Sequence, residues 1–300
     1  MARGGTRKRA VLRPFRFVAH RGVAEAVRLS GRPRVERPLM VVAFEGWNDA
    51  ADAASYALTN LARAWQAVPF AEIDPEEFFD FTEARPELTV VEGLVREITW
   101  PTTVFSVAPG PVDIVVARGP EPQLRWRAYC DAFVELAQAL RAGRVVILGA
   151  YLAEVAHSRP VPLAATASDA ALLDQQGMAL SLYEGPTGIV GVLGAALAEA
   201  GVPTVTIWAS VPCYSIPVSA KAALALAEAT TRLVGRHADL AELTREALEY
   251  ERQMDELVGE DETVAAYVAR IAHEDAAVPD ASVEVLTDEI ERYLRDEPPG

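Results

Sequence analysis

Three polar loops carry the side chains whose types and spacing could do chemistry. The first is Glu45-Gly46-Trp47-Asn48-Asp49, between an apolar run and an alanine-rich one. Gly46 permits a tight turn, and Asn48 or Asp49 can cap the following helix. That leaves Glu45, Trp47 and the other polar residue for a binding site. The second is His157-Ser158-Arg159, an imidazole beside a guanidinium fork suited to carboxylate or phosphate. Its plainer reading is a surface or capping histidine. The third is Glu184-Gly185-Pro186-Thr187-Gly188 at a helix start. Unpaired N–H groups and the helix dipole favour an anion there, and Thr187 adds a hydroxyl. Glu184 would repel an anion unless it turns to another partner, and a simple strand-to-helix turn is the alternative. The candidate ligand-binding residues are therefore Glu45, Trp47, Asn48, Asp49, His157, Arg159, Glu184 and Thr187.

Signatures of established chemistries are absent. No G-x-G-x-x-G follows a strand, and G-x-x-x-x-G-K-[ST], G-x-S-x-G, H-E-x-x-H and C-x-x-C do not occur. Dinucleotide, P-loop and zinc chemistry thus have no sequence support, and no cofactor, metal or catalytic residue is assigned. Gly188, Gly191 and Gly194 recur every three residues. They read as small residues that let a helix approach a sheet.

The elements that position these loops follow from periodicity. Leu39–Phe44 is an apolar strand leading into the first loop and a helix over about Ala50–Trp65. Val68–Ile73 reads as a strand and Asp74–Phe81 as a turn or short helix. Thr89–Val91, Glu97–Ser106 and Val112–Arg118 read as strands, the last two a hairpin about Pro109-Gly110-Pro111. Leu124–Arg141 is helical, ended by Gly143, and Val145–Leu148 is a buried strand before the histidine loop. The apolar run Met178–Tyr183, the helix Ile189–Ala200 and the strand Thr204–Val211 read as a βαβ crossover with parallel strands. The fold class is α/β, with a mainly parallel sheet flanked by helices. All three loops follow strands and are expected on one edge of the sheet, where open α/β folds place ligands.

Beyond Pro217, Ser219–Arg236 forms an alanine-leucine helix. Leu240–Val258, Glu262–Glu274 and Ser282–Arg295 are amphipathic helices. Asp239–Gly300 holds 19 acidic and five basic residues. Expected organisation is a basic, flexible arm over 1–37, an α/β domain over 38–236 and an acidic helical extension over 237–300. The arm holds eleven Lys/Arg against two Glu in a chain of net charge −15. The acidic balance argues against nucleic-acid binding by the body, although the arm alone supports an RNA-binding alternative. No run reaches the roughly 18 consecutive apolar residues of a membrane span. Cys130 and Cys213 are the only cysteines, in a predicted helix and a loop, so no disulfide is expected and the cytoplasm is the expected compartment.

The blocks GWNDA at 46–50, YLAEVAHSRPVPLAATAS at 151–168, and YEGPTGIVGVL followed by WASVPCYSIP resemble the PAC2, or proteasome assembly chaperone 2, family in its bacterial branch. The resemblance spans about Pro38 to Arg270. It implies a nucleoside-phosphorylase-like α/β architecture with a helical C-terminal extension, and a chain that self-assembles into a homo-oligomer, a trimer being one size left open. Eukaryotic relatives assist assembly of the proteasome core particle, and some archaeal ones dock on it through a hydrophobic-Tyr-X tail. Here the penultimate residue is Pro299, so docking by that route is not expected. The leading expectation is a non-enzymatic assembly chaperone or scaffold with an unknown protein partner. The alternative is a small-molecule enzyme or sensor that binds a nucleoside-like or phosphorylated ligand where the candidate residues converge.

Overall fold

A computed structural model describes residues 25–274 apart from 32, 92–93, 170–171, 173–177 and 182. The expected helix over Ser282–Arg295 and the first 24 residues of the expected arm lie outside the described residues. In chain order the strands are β1 Val27–Leu29, β2 Leu39–Glu45, β3 Val68–Ile73, β4 Glu87–Val91, β5 Leu94–Thr99, β6 Val104–Ala108, β7 Ile114–Pro120, β8 Arg144–Ala153, β9 Leu163–Ala167, β10 Ala179–Leu180 and β11 Thr204–Pro212. The α-helices are α1 Ala53–Ala64, α2 Trp126–Ala139, α3 Ile189–Glu199, α4 Ala220–Val234, α5 Ala241–Gly259 and α6 Glu262–Glu274.

Nine strands form one sheet in the order β1-β3-β6-β7-β2-β8-β11-β9-β10. The four central strands, β7, β2, β8 and β11, are parallel. β2 is buried on both faces, as the unbroken LMVVAFE sequence requires. Its side chains alternate between two cores. Val41 and Ala43 pack with α1 and α4, whereas Met40, Val42 and Phe44 pack with α2 and α3. Alanine at 53, 54, 57, 222, 223 and 227 lets α1 and α4 lie close on the sheet and on each other. Leu243, Tyr250 and Met254 of α5 join the same cluster.

The expected α/β class with a helix-flanked sheet holds, and the sheet is mixed rather than strictly parallel: β1, β3, β6 and β7 are linked by antiparallel pairings and β9 runs antiparallel to β11. Two strand readings are corrected. The run at 178–183 contributes only the two-residue β10, parallel to β9 and therefore opposed in direction to β11. α3 does close a parallel crossover, but from β8 to β11. The intervening β9 was not expected, since LAATA has no strong alternation. The strand read over Glu97–Ser106 is divided between β5 and β6. β4 and β5 pair only with each other, as a separate two-stranded sheet.

Candidate functional site at the strand-end rim

The parallel strands deliver their following loops to one rim, and Glu121, just past β7, organises the part nearest β2. Its Oε1 accepts from Asn48 Nδ2 and from the Ile189 backbone N–H, each at 2.8 Å. The first amide of α3, an open anion site in the sequence, is thus bonded to the protein's own carboxylate. Gly188 lies against this pair: a Cβ there would stand 2.5 Å from Asn48 Oδ1 and 2.8 Å from Glu121 Oε1. Only glycine allows the approach. Asn48 is 1% exposed, and its Oδ1 has no hydrogen-bond partner among the described residues.

Asp49 turns the other way. Its Oδ1 accepts from Ala54 N at 2.6 Å and Ser55 N at 3.3 Å, so it serves the start of α1. Ala51 and Asp52, with φ of 47° and 53°, make the sharp backbone reversal that brings it there. Burial pushes the Asp49 carboxyl up to about 6, with those amide bonds pulling the other way. Glu45 pairs with Arg118 at 2.6 Å on the surface. Trp47 is 51% exposed, and Glu184 and Thr187 are exposed on the loop before α3.

His157 and Arg159 belong to a second group. The His157 ring is 3% exposed and lies between Tyr214 Oη, 2.9 Å from Nδ1, and Asp255 Oδ1, 2.9 Å from Nε2. Lys221 Nζ donates to the His157 carbonyl at 2.6 Å and also pairs with Glu251 of α5. Arg159 donates to the Ala272 carbonyl of α6 at 2.9 Å. Both therefore tie the β8–β9 loop to the C-terminal helices. The eight candidate residues do not converge on one space. Asn48 and the loop holding Glu184 and Thr187 meet at Glu121, while His157 and Arg159 form a clasp with α5 and α6.

Sequence reasoning missed Glu121, Tyr214, Lys221 and Asp255. Glu121 had one available signal, its place directly after a strand of the same edge. The space beside His157 is about 10 Å³, too small for a ligand. A groove of about 460 Å³ lies elsewhere, between α1, the entry to α4 and α5, where Tyr56 Oη donates to Glu246 at 2.7 Å. Among the described residues no cluster of His, Cys, Asp and Glu could hold a metal, and no helix is long and apolar enough to cross a membrane. Both cysteines are free, and burial raises the Cys130 thiol to about 12.

The PAC2 family profile matches residues 43–258, which takes in every element from the end of β2 to α5. The chain belongs to the PAC2 family. A Mycobacterium tuberculosis proteasome-assembly chaperone homologue, Rv2125, is 43% identical over 77% of this chain and 99% of its own, with a TM-score of 0.71. A Streptomyces avermitilis PAC2 family protein gives the same figures, 43% identity, 77% and 99% coverage and a TM-score of 0.71. Pyrococcus furiosus PbaA, an archaeal homolog of proteasome-assembly chaperone, shares the fold at 17% identity, with a TM-score of 0.57 over 77% of this chain and 96% of its own. Comparison with curated proteins returned no match. Both PAC2 relatives are bacterial, in agreement with the branch that the sequence blocks resemble.

Proposed function

We propose that this PAC2 protein is a homo-oligomeric assembly chaperone or scaffold that acts in the cytoplasm through protein–protein contacts. One observation carries the reading: most of the polar side chains of the strand-end rim are bonded to the protein itself. Asp49 caps α1, Glu121 holds α3, and His157 and Arg159 hold the C-terminal helices. Beside the exposed Glu184 and Thr187 and the Glu45–Arg118 pair, the rim presents apolar and aromatic side chains outward, with Trp47 at 51% and Leu124 at 46% exposure. Exposed aromatics are frequent anchors of protein interfaces. The description of the M. tuberculosis relative as a proteasome-assembly chaperone homologue supports the same class of role. The test is chemical cross-linking in cells followed by affinity purification of the tagged full chain. A reproducible partner complex that is lost with Trp47→Ala is expected. A chain that is monomeric at micromolar concentration and retains no partner would sink the proposal.

A second reading, a small-molecule sensor, is favoured by the unpartnered Asn48 Oδ1 beside Gly188. A nucleoside or phosphate ligand at ~100 times its dissociation constant would add about 2.7 kcal/mol of stability. A thermal shift abolished by Asn48→Ala would support it, and a flat screen would remove it.

A further inference from the structure

Strands β4 and β5 stand apart from the main sheet as a two-stranded hairpin. In their register Leu88 faces Ile98 and Val90 faces Val95, so these four side chains share one face of the pleat. That face points into solvent, with Leu88, Val90, Val95 and Ile98 at 58, 51, 62 and 51% exposure. A hairpin of this kind is marginal in water without a further layer. Its aliphatic face offers roughly 350 Å², well under the ~800 Å² that one partner buries in a stable protein interface. An area of that size suits a short segment of chain rather than a folded partner.

The chain enters the fold beside the hairpin's root. β1 pairs antiparallel with the end of β3, Val27 opposite Ile73, and the Ala26 carbonyl accepts from Asp74 N at 2.8 Å. Both ends of the excursion that carries the hairpin meet there, because Ile73 N donates to the Thr103 carbonyl at 3.0 Å. Residues 1–24 connect at that point. Phe17 and Phe15 precede Glu25 by eight and ten residues, which reach about 30 Å when extended, more than the ~20 Å of a six-residue strand.

Side chains and charge both match this segment to the hairpin. In Phe15-Arg16-Phe17-Val18-Ala19 an extended chain puts Phe15, Phe17 and Ala19 on one side. Two phenyl rings, each able to bury about 150–250 Å², are of the size of the aliphatic face. Residues 1–24 also hold seven Lys/Arg and no Asp/Glu, whereas 74–99 hold eight Asp/Glu and two Arg. Arg28 and Arg125 pair with Asp74 and Glu77, and the stretch stays negative with both included. Unlike charges therefore draw the arm to the hairpin, and the rings fix where it lies. We infer that Phe15–Ala19 lies along the aliphatic face of the β4–β5 hairpin of the same chain, with Phe15 and Phe17 on Leu88, Val90, Val95 and Ile98. The arm is then the hairpin's own cover, which any other protein must displace to reach that face.

The experiment is limited trypsin digestion of the purified full chain, with mass spectrometry following the Arg16–Phe17 bond and the Arg9–Ala10 bond as internal reference. It compares the wild type, the aliphatic-face variant Val90→Ser/Val95→Ser and the opposite-face control Val91→Ser/Leu94→Ser. All four positions are exposed, and circular dichroism confirms folding. A protease reads the undocked population, so cleavage at Arg16 relative to Arg9 is expected to be about tenfold faster in the aliphatic-face variant than in the wild type and the control. Equal ratios in the wild type and the aliphatic-face variant overturn the inference. So does a control cleaved as fast as that variant, which would mean that the hairpin as a whole had melted. Protection that falls away on dilution from about 50 to about 1 micromolar overturns it as well, by assigning the hairpin to the arm of another copy. Protection that is lost on nuclease treatment does the same, by assigning the arm to nucleic acid.

Discussion

Asp49 sits at 4% exposure with its charge directed at the first free amides of α1. Burial opposes that charge and wins, since the carboxyl is raised from 3.8 to about 6. On folding, the chain therefore takes up a proton at Asp49 between about pH 4 and pH 6. The stability linked to this proton is full below pH 4 and is lost as pH rises through 6. The gain in Tm of the wild type over Asp49→Asn should grow as pH falls from 7 to 4, by at most about 3 kcal/mol in unfolding free energy. Thermal melts at pH 4, 5, 6 and 7 check this, and a constant gap would refute it. A capping role for this loop was legible because acidic and amide side chains directly precede an alanine-rich helix. Glu121 was not legible, because its partners Asn48 and Ile189 lie 73 and 68 residues away in sequence.

The clasp between the β8–β9 loop and the C-terminal helices joins elements that sequence periodicity treats separately. His157 is its buried member and Asp255, at 72% side-chain exposure, its solvated one. An exposed charged partner adds about 0–1 kcal/mol, whereas stranding buried polar groups costs about 1–3 kcal/mol per group. His157→Ala is thus expected to destabilise clearly more than Asp255→Ala, and to speed amide exchange in α5 and α6 selectively. Exchange that quickens equally throughout the chain would show that the clasp is not local. Helices were the most legible elements here, because α1, α2, α4, α5 and α6 each carry an apolar stripe long enough to read and α3 is a long apolar run ended by Gly201 and Pro203. The short strands were not. Val27–Leu29 and Ala179–Leu180 are three and two residues long, and partners distant in sequence decide the direction of each.

At the scale of the whole molecule, the acidic stretch over residues 239–300 was expected as an extension of amphipathic helices, and Leu243, Ala247, Tyr250 and Met254 of α5 are buried. Burying a side chain of this size contributes about 1.5–3 kcal/mol, so α5 supplies on the order of 5 kcal/mol, a large share of a typical domain's ~5–15 kcal/mol. A chain truncated after Asp239 should lose its cooperative melt or precipitate, and a soluble product with an unchanged Tm would show that α5 is not part of the core. The apolar face of this helix was legible in the sequence, but not what it packs against, because the burial depends on where α4 lies. The sheet order has a further consequence during synthesis. β11 lies between β8 and β9, so β9, although made earlier, has no place in the main sheet until β11 emerges. The inner edge of β8 must therefore wait, unpaired on that side, while residues 154–203 are translated, several seconds at about 5–20 residues per second. A protein read as helping others assemble passes through a stage on the ribosome in which its own central strand is an open edge.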